Sequence, residues 1–224
     1  PPMVKTLDSE EMYINMGPQH PSTHGVLRLL LKTDGEIVTE VTPVIGYLHR
    51  CAEKISENVT YVQFVPYTDR MDYLSSMSDN LGFALATESL MDIEIPPRAQ
   101  ALRVIMAELN RIASHLLAVG TFGIDIGAYT PFLWCFRERE AILNMFEIVS
   151  GARLTYNYVR IGGVMRDVGA DFLKRVDEFC KSFPKRVAEY NELLTYNQIF
   201  ISRTASIGVL PKELAIAYGI TGPI

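Results

Sequence analysis

The chain has 224 residues, 48% apolar and 21% charged, which is ample for a sizeable core and too apolar for a disordered segment. A formal net charge of −5, with no basic run or stripe, argues against a nucleic-acid surface. Cys51, Cys135 and Cys180 are far apart and form no CxxC or CxxH, so this chain alone carries no zinc or iron–sulfur framework, and a reduced compartment is the better expectation.

The opening "PPMVKTLDSEEMYI" has neither the charge pattern nor the apolar core of a signal peptide. The first fifty residues read as β structure. "MYINMG" and "VLRLLLKTDGEIVTEVTPVIG" are rich in β-branched and apolar residues, and "TDGE" at 33–36 is a hairpin signal. Between the strands lies "GPQHPSTHGV", residues 17–26, where two prolines fix φ and two glycines free it. Such a loop is built to hold a shape, and it carries two of the four histidines, His20 and His24.

From about Leu48 the pattern turns helical. "YLHRCAEKISENVTYV" is expected to form helix up to a break near Pro66. In "DYLSSMSDNLGFALATESLMDI" the residues Leu74, Met77, Leu81, Leu85 and Leu90 recur at helical spacing. The clearest helix is "PPRAQALRVIMAELNRIASHLLAVG", with prolines at its start, Gly120 at its end and a core stripe of Leu102, Ile105, Met106, Leu109, Ile112 and Leu116. A further helix is expected over "TPFLWCFREREAILNMFEIVSG", with Thr130 as cap, Pro131 at its first position and Gly151 just past its end. "YVRIGGVMRDV" reads as a Gly-Gly loop, and "DFLKRVDEFCKSFPKRVAEYNELL" as a last helix kinked at Pro184. The ending "YGITGPI" has no closing polar tail and reads as a chain cut short. The expected class is α+β: a small N-terminal antiparallel sheet over 1–47, then a helical bundle over 48–224.

One stretch is long enough for a membrane span: the 21 residues from Leu116 to Phe136 hold a single formal charge, Asp125. A charge near the middle of a span costs roughly 2.5–3.5 kcal/mol, and Gly120, Gly123, Gly127 and Pro131 interrupt the run. It reads as a helix end, a turn and the start of a second helix. A lone carboxylate there is expected to be hydrogen-bonded, as a cap on the turn or as a functional group.

Several groups admit chemistry. His20 and His24 are spaced i,i+4, but the broken loop denies them the geometry of a helical metal pair. Turn chemistry and proton donation from a rigid loop both remain open. Arg98, Arg103, Glu108, Arg111 and His115 make either a paired seam inside the bundle or an exposed salt-bridged face, and "RERE" at 137–140 offers the same choice. "YTDRMDYL", 67–74, crowds Tyr67, Asp69, Arg70, Asp72 and Tyr73; a tyrosine hydroxyl in a cavity donates a proton or a hydrogen bond to a carbonyl oxygen. No phosphate-binding glycine motif, serine elbow or cysteine–histidine nucleophile is present.

Taken together, "GPQHPSTHGVLRL", "IGYLHRCAEK", "RMDYL", "ELNRIASHLL", "DIGAYTPF", "FRERE" and "YVRIGGV" resemble the 49-kDa subunit of respiratory complex I, the NADH:quinone oxidoreductase. The likeness runs from about Tyr13 to the last residue and covers roughly the first half of a typical member. It implies a fold like the large subunit of nickel–iron hydrogenases, with the old catalytic cavity given over to quinone. The hydrogenases carry a CxxC that ligates nickel; "HRCAEK" has Cys51 alone, so no nickel site is expected.

By the same resemblance, His24 and Tyr73 match the pair that hydrogen-bonds the quinone head group, and Asp125 the carboxylate that holds the loop histidine. His20 is then structural, and Arg50 and Arg70 are neighbours of the cluster or of the loop. Many members have a histidine where "GARLT" places Thr155, which puts a cluster-linked proton there in doubt. The resemblance implies quinone as substrate, NADH bound by another subunit and an iron–sulfur cluster held by a neighbour. The partners implied are the cluster-bearing PSST-type subunit, the 30-kDa-type subunit and the membrane-arm subunit of the quinone channel. Its expected place is peripheral, on the cytoplasmic face of a bacterial inner membrane or the matrix face of the mitochondrial one. A non-catalytic hydrogenase-like scaffold and the same subunit of a ferredoxin-fed, chloroplast-type complex are the alternatives.

Overall fold

The computed structural model describes residues 11–221. The first ten residues, and with them most of the opening "PPMVKTLDSEEMYI", lie outside the described residues, as do the last three of the "YGITGPI" ending. The chain divides into two compact units, one up to Thr60 and one from Tyr61 on.

The first unit is a three-stranded antiparallel sheet, β1 (Glu11–Met16), β2 (Arg28–Asp34) and β3 (Ile37–Val44), in that order. Asp34 pairs with Ile37 across Gly35 (φ +60°) and Glu36, so "TDGE" makes the expected two-residue hairpin. A register shift at Lys32/Thr33 bends the ladder. Arg28 grips Asn15 Oδ1 with Nε and Nη2, at 3.0 and 2.8 Å, where β2 meets β1. A one-turn helix, α1 (Ala52–Ser56), follows Cys51. Among the described residues of this unit only Thr23 and Thr33 are buried.

The second unit holds α2 (Tyr61–Thr68), α3 (Ser76–Met91), α4 (Pro97–Asp125), α5 (Tyr129–Ser150), a hairpin of β4 (Val159–Arg160) with β5 (Gly163–Val164), α6 (Ala170–Tyr190), α7 (Gln198–Thr204) and α8 (Lys212–Ala217). Its core is one cluster in which Leu102, Met106, Leu109 and Leu116 of α4 meet Ile142, Phe146 and Val149 of α5, with Phe172 and Phe179 of α6. The α4 stripe is therefore the one its 3.6-residue period announces, with Ile105 and Ile112 at its partly buried margin. The α+β class, sheet first and helices after, is as expected.

Several boundaries differ from the sequence reading. Pro66 sits inside α2, which ends two residues later. The buried face of α3 is Met77, Asn80, Ala84, Thr87 and Glu88, while Leu85 and Leu90 are exposed; small and polar side chains face inward because they have partners there. Gly120 does not end α4, which runs on to Asp125; Gly120 and Gly123 instead face α5 at close range. Ala128, not Thr130, is the residue before α5, and no side chain caps it. The Gly-Gly loop is a short hairpin that turns at Ile161–Gly162. Among the described residues no helix is long and apolar enough to cross a membrane, and the Leu116–Phe136 stretch is, as read, two helices and a turn.

Candidate functional site

The histidine loop joins β1 to β2. Gly17 has φ +89°, and a Cβ there would lie 2.0 Å from the Leu27 carbonyl oxygen, so only glycine closes the loop against the next strand. Pro21–Thr23 form one 3₁₀ turn. Its cap is His20, whose Nδ1 accepts the Ser22 N–H at 3.1 Å, while the Thr23 hydroxyl donates to His20 O at 2.9 Å. His20 is thus occupied in holding the turn. His24 ends that turn in the left-handed region, φ 44° and ψ 58°, and its side chain is exposed. Among the described residues no group of three His, Cys, Asp or Glu is placed to hold a metal ion.

Tyr73 lies in the second unit, on the turn between α2 and α3. The Ser76 hydroxyl stands 3.0 Å from Asp69 O and 3.1 Å from Tyr73 O and closes that turn. Leu74 N–H donates to Asp72 Oδ1, and Asp72 N–H to Asp79 Oδ2, at 3.0 and 2.9 Å. From α4, buried Asn110 donates to Leu74 O and accepts the Met77 N–H, at 3.1 and 2.9 Å. The backbone at Tyr73 is fixed from both sides, yet half of the side chain is exposed, at 50%. The arrangement presents a phenol from a rigid mount.

Asp125 is the last residue of α4 and is exposed. The turn after it is closed by Ala128 N–H on Gly123 O at 2.7 Å, and Arg203 of α7 donates to Ile126 O at 2.9 Å. Tyr73 and Asp125 share the second unit but stand on separate elements; His24 belongs to the first. Arg50 and Arg70 are exposed, and Arg70 Nη1 donates to Pro66 O at 2.5 Å. Thr155 has φ 52° and Asn157 φ 46°, so the segment before β4 holds two non-glycine residues in the left-handed region.

In two buried polar groups the sequence reading named Arg103 and Asp69 but not their partners. Glu88 of α3 and Arg103 of α4 form a two-pronged ion pair, 2.8 and 2.5 Å, with side chains only 5% and 3% exposed. Arg103 also donates to Gly163 O and Arg160 O, and Glu88 accepts the Gly162 N–H at 2.7 Å, so the pair seats the β4–β5 hairpin. Burial alone would raise the Glu88 carboxyl pKa; the Arg103 and Gly162 donors outweigh it and hold the group below its ordinary value. The seam expected along α4 is therefore divided. Arg103 is the buried, paired member, Arg98 pairs with Asp167 at the surface, and Arg111 pairs with Glu108 there. "RERE" joins a surface network in which Arg137 and Arg186 share Glu138 and Glu189, and Arg153 meets Glu140 and Glu147.

The second group surrounds Asp69, which is fully buried at the end of α2. Burial pushes its pKa up to about 6, against the backbone N–H of Asn157, the charge of Arg70, the Asn80 side chain and the charge of Arg160. The signal for both groups was in the sequence: Asn80 and Glu88 fall on one helical face with Met77, Ala84 and Thr87.

An apolar cavity of about 650 Å³ lies in the second unit between α4, α5, α6 and the start of α7, lined among others by His115, Phe122, Cys135, Tyr190, Leu194 and Phe200. Tyr73 and Asp125 are not part of its wall.

Comparison with known proteins gives a consistent result. Residues 125–224 match the family described as respiratory-chain NADH dehydrogenase, 49 Kd subunit. Over 98% of its length the chain is 60% identical to the D-type subunit of the NADH-quinone oxidoreductase of Chlorobium luteolum, covering 56% of that protein. It is 58% identical to the same subunit of Chlorobium chlorochromatii over 99% of its length, and 57% identical to that of Chlorobaculum tepidum over 98%, covering 56% and 55% of them. The chain thus spans about half the length of these relatives, and the resemblance read from its motifs is borne out across nearly all of it.

Proposed function

We propose that this chain, a relative of the 49-kDa type of complex I subunit, is the quinone-facing part of an NADH:quinone oxidoreductase. Reduction of a quinone to a quinol takes two electrons and two protons. In this reading a neighbouring PSST-type subunit holds the iron–sulfur cluster that supplies the electrons, and another subunit binds NADH. This chain supplies hydrogen bonds and protons.

The head group has two carbonyl oxygens, and each gains basicity as electrons arrive. Tyr73 donates its phenolic proton to one and His24 an imidazole N–H to the other, while Asp125 holds the imidazole. The phenolate left at Tyr73 must then take a proton back before the next turnover. The 30-kDa-type subunit and the membrane-arm channel subunit are the other expected partners, with the chain peripheral to the membrane.

The observation that carries the reading is the half-exposed phenol of Tyr73 on a backbone pinned by Ser76 and Asn110, in a chain 60% identical to a named NADH-quinone oxidoreductase subunit. The exposed His24 at the end of its 3₁₀ turn supports it.

The test is quinone reductase activity of the assembled complex carrying Tyr73→Phe, His24→Ala or Asp125→Asn, with assembly and cluster reduction checked separately. Loss of the Tyr73 donor is expected to slow quinone reduction by about 10²–10⁴-fold while the cluster stays reducible by NADH. Wild-type rates in all three variants would assign the loop and turn a scaffold role instead.

A further inference from the structure

The helix that follows the Tyr73 turn is capped from another helix. Ser75 is the residue before α3, yet its side chain makes no cap bond; its hydroxyl lies 3.4 Å from that of Ser114 on α4. The Met77 N–H, one of the first-turn donors that a helix cannot satisfy by itself, is met at 2.9 Å by Oδ1 of Asn110, one helical turn before Ser114. Asn110 Nδ2 donates at the same time to Leu74 O, at 3.1 Å. A backbone N–H only donates and a carbonyl only accepts, so these two partners fix which way the amide points. The side chain is 1% exposed and stands on the buried stripe of α4 with Met106 and Ala113. Leucine in its place would leave two backbone groups unmet in a dry site, and aspartate would set an oxygen against Leu74 O.

We infer that Asn110 is the positioning residue for the Tyr73 phenol. By bracketing residues 74–77 from α4, it fixes where the turn ends and α3 begins, and so where the preceding residue presents its side chain. The inference rests on the reading of Tyr73 as a quinone donor given above. Ser76 on Asp69 O and Tyr73 O, and Asp72 on the Leu74 N–H, tie the turn to itself and hold its shape. Asp69 ties the start of the turn to Asn157, and Asn110 ties its end to the helix whose last residue is Asp125. One rigid element therefore carries the carboxylate and registers the phenol. A slip of the turn along α4 moves Tyr73 relative to Asp125 without altering either side chain. Proton donation in place depends on a near-attack distance, so such a slip costs rate at saturating quinone more than it costs binding.

The experiment measures quinone reduction by the assembled complex for wild type, Asn110→Leu, Tyr73→Phe and the double variant, with assembly and cluster reduction checked. Amide exchange of the 74–80 segment is followed in the same complexes. Asn110→Leu is expected to lower kcat by about 10²-fold with KM little changed, and to speed exchange at Met77 by about tenfold. Once Tyr73 is phenylalanine, the same change is expected to cost little further, because the group it positions is gone. A residue that only supports the fold costs the same in both backgrounds.

Equal losses in both backgrounds beside a slow Tyr73→Phe, or unchanged exchange at Met77, would overturn the inference alone. Tyr73→Phe at the wild-type rate would overturn the donor reading, and the inference with it. Asn110→Ser, polar but too short to span both partners, carries the same comparison if Asn110→Leu does not assemble. Failure of both to assemble would make Asn110 a requirement of the fold and overturn the positioning role.

Discussion

Glu88 and Arg103 show how a single buried pair sets the order of a whole region. Their pair joins α3 to α4 and, through Gly162, Gly163 and Arg160, holds the hairpin that follows the 155–157 segment. Every polar atom named there has a partner, so removing one member strands the other in a dry site. Glu88→Gln keeps the shape and removes the charge; it is expected to destabilise the fold by about 3–5 kcal/mol in denaturant unfolding, and the double change to leucine by less. A depressed carboxyl pKa contributes stability above its unfolded value and loses it as pH falls through the folded one, so the Glu88→Gln penalty should shrink below about pH 4. Equal penalties at pH 3 and pH 7 would deny the pair its role. Arg103 was legible only as one of a seam with two possible faces, because periodicity along α4 does not reveal an acceptor on α3. His24, Tyr73 and Asp125 became candidates through motif resemblance, since their residue types alone fit turns and core equally well.

Glycine decides how the elements meet. α4 and α5 pack against each other, and at Gly120 a Cβ would lie 3.2 Å from Phe132 Cα and 3.5 Å from Cys135 Cβ. Gly82, on the exposed side of α3, has nothing within 4 Å of the same position. The two glycines should respond oppositely to a larger side chain. Gly82→Ala is expected to stabilise by about 0.8–1 kcal/mol, the difference in helix propensity alone. Gly120→Val is expected to destabilise by about 1–3 kcal/mol through overpacking, despite the same backbone gain. Paired denaturation curves check this, and stabilisation by both would mean that α4 and α5 have room to spare. Residue type alone does not tell the two glycines apart. What distinguishes them is the neighbouring helix, which a one-dimensional pattern does not contain; for the same reason Leu85 and Leu90, expected on the inner stripe of α3, turned outward. Strand order, hairpin position and the α4 stripe were legible because each rests on local turn chemistry or on periodicity.

At the scale of the molecule the two units differ in how much they bury. The second has a continuous core of Leu, Met, Ile and Phe from three long helices. The first pairs its three strands along their length, with one register shift, but has only Thr23 and Thr33 buried among its described residues, with Tyr13, Ile37, Val38 and Val41 exposed. Three strands without a covered apolar face are marginal in water, since backbone hydrogen bonds contribute little net free energy against the entropy of ordering. Local stability should therefore be graded along the chain. In hydrogen exchange on the chain alone, amides of α4 and α5 should be protected to near the global unfolding free energy, whereas β1, β2 and β3 exchange through low-energy local opening. The histidine loop between β1 and β2 then draws its fixed shape from whatever covers the sheet. Protection of the strands should rise on assembly with the partner subunits, and with it the order of the turn that ends in His24. Strands already as slow as α4 in the isolated chain would show that the sheet supports itself, and that the loop is preformed without any partner.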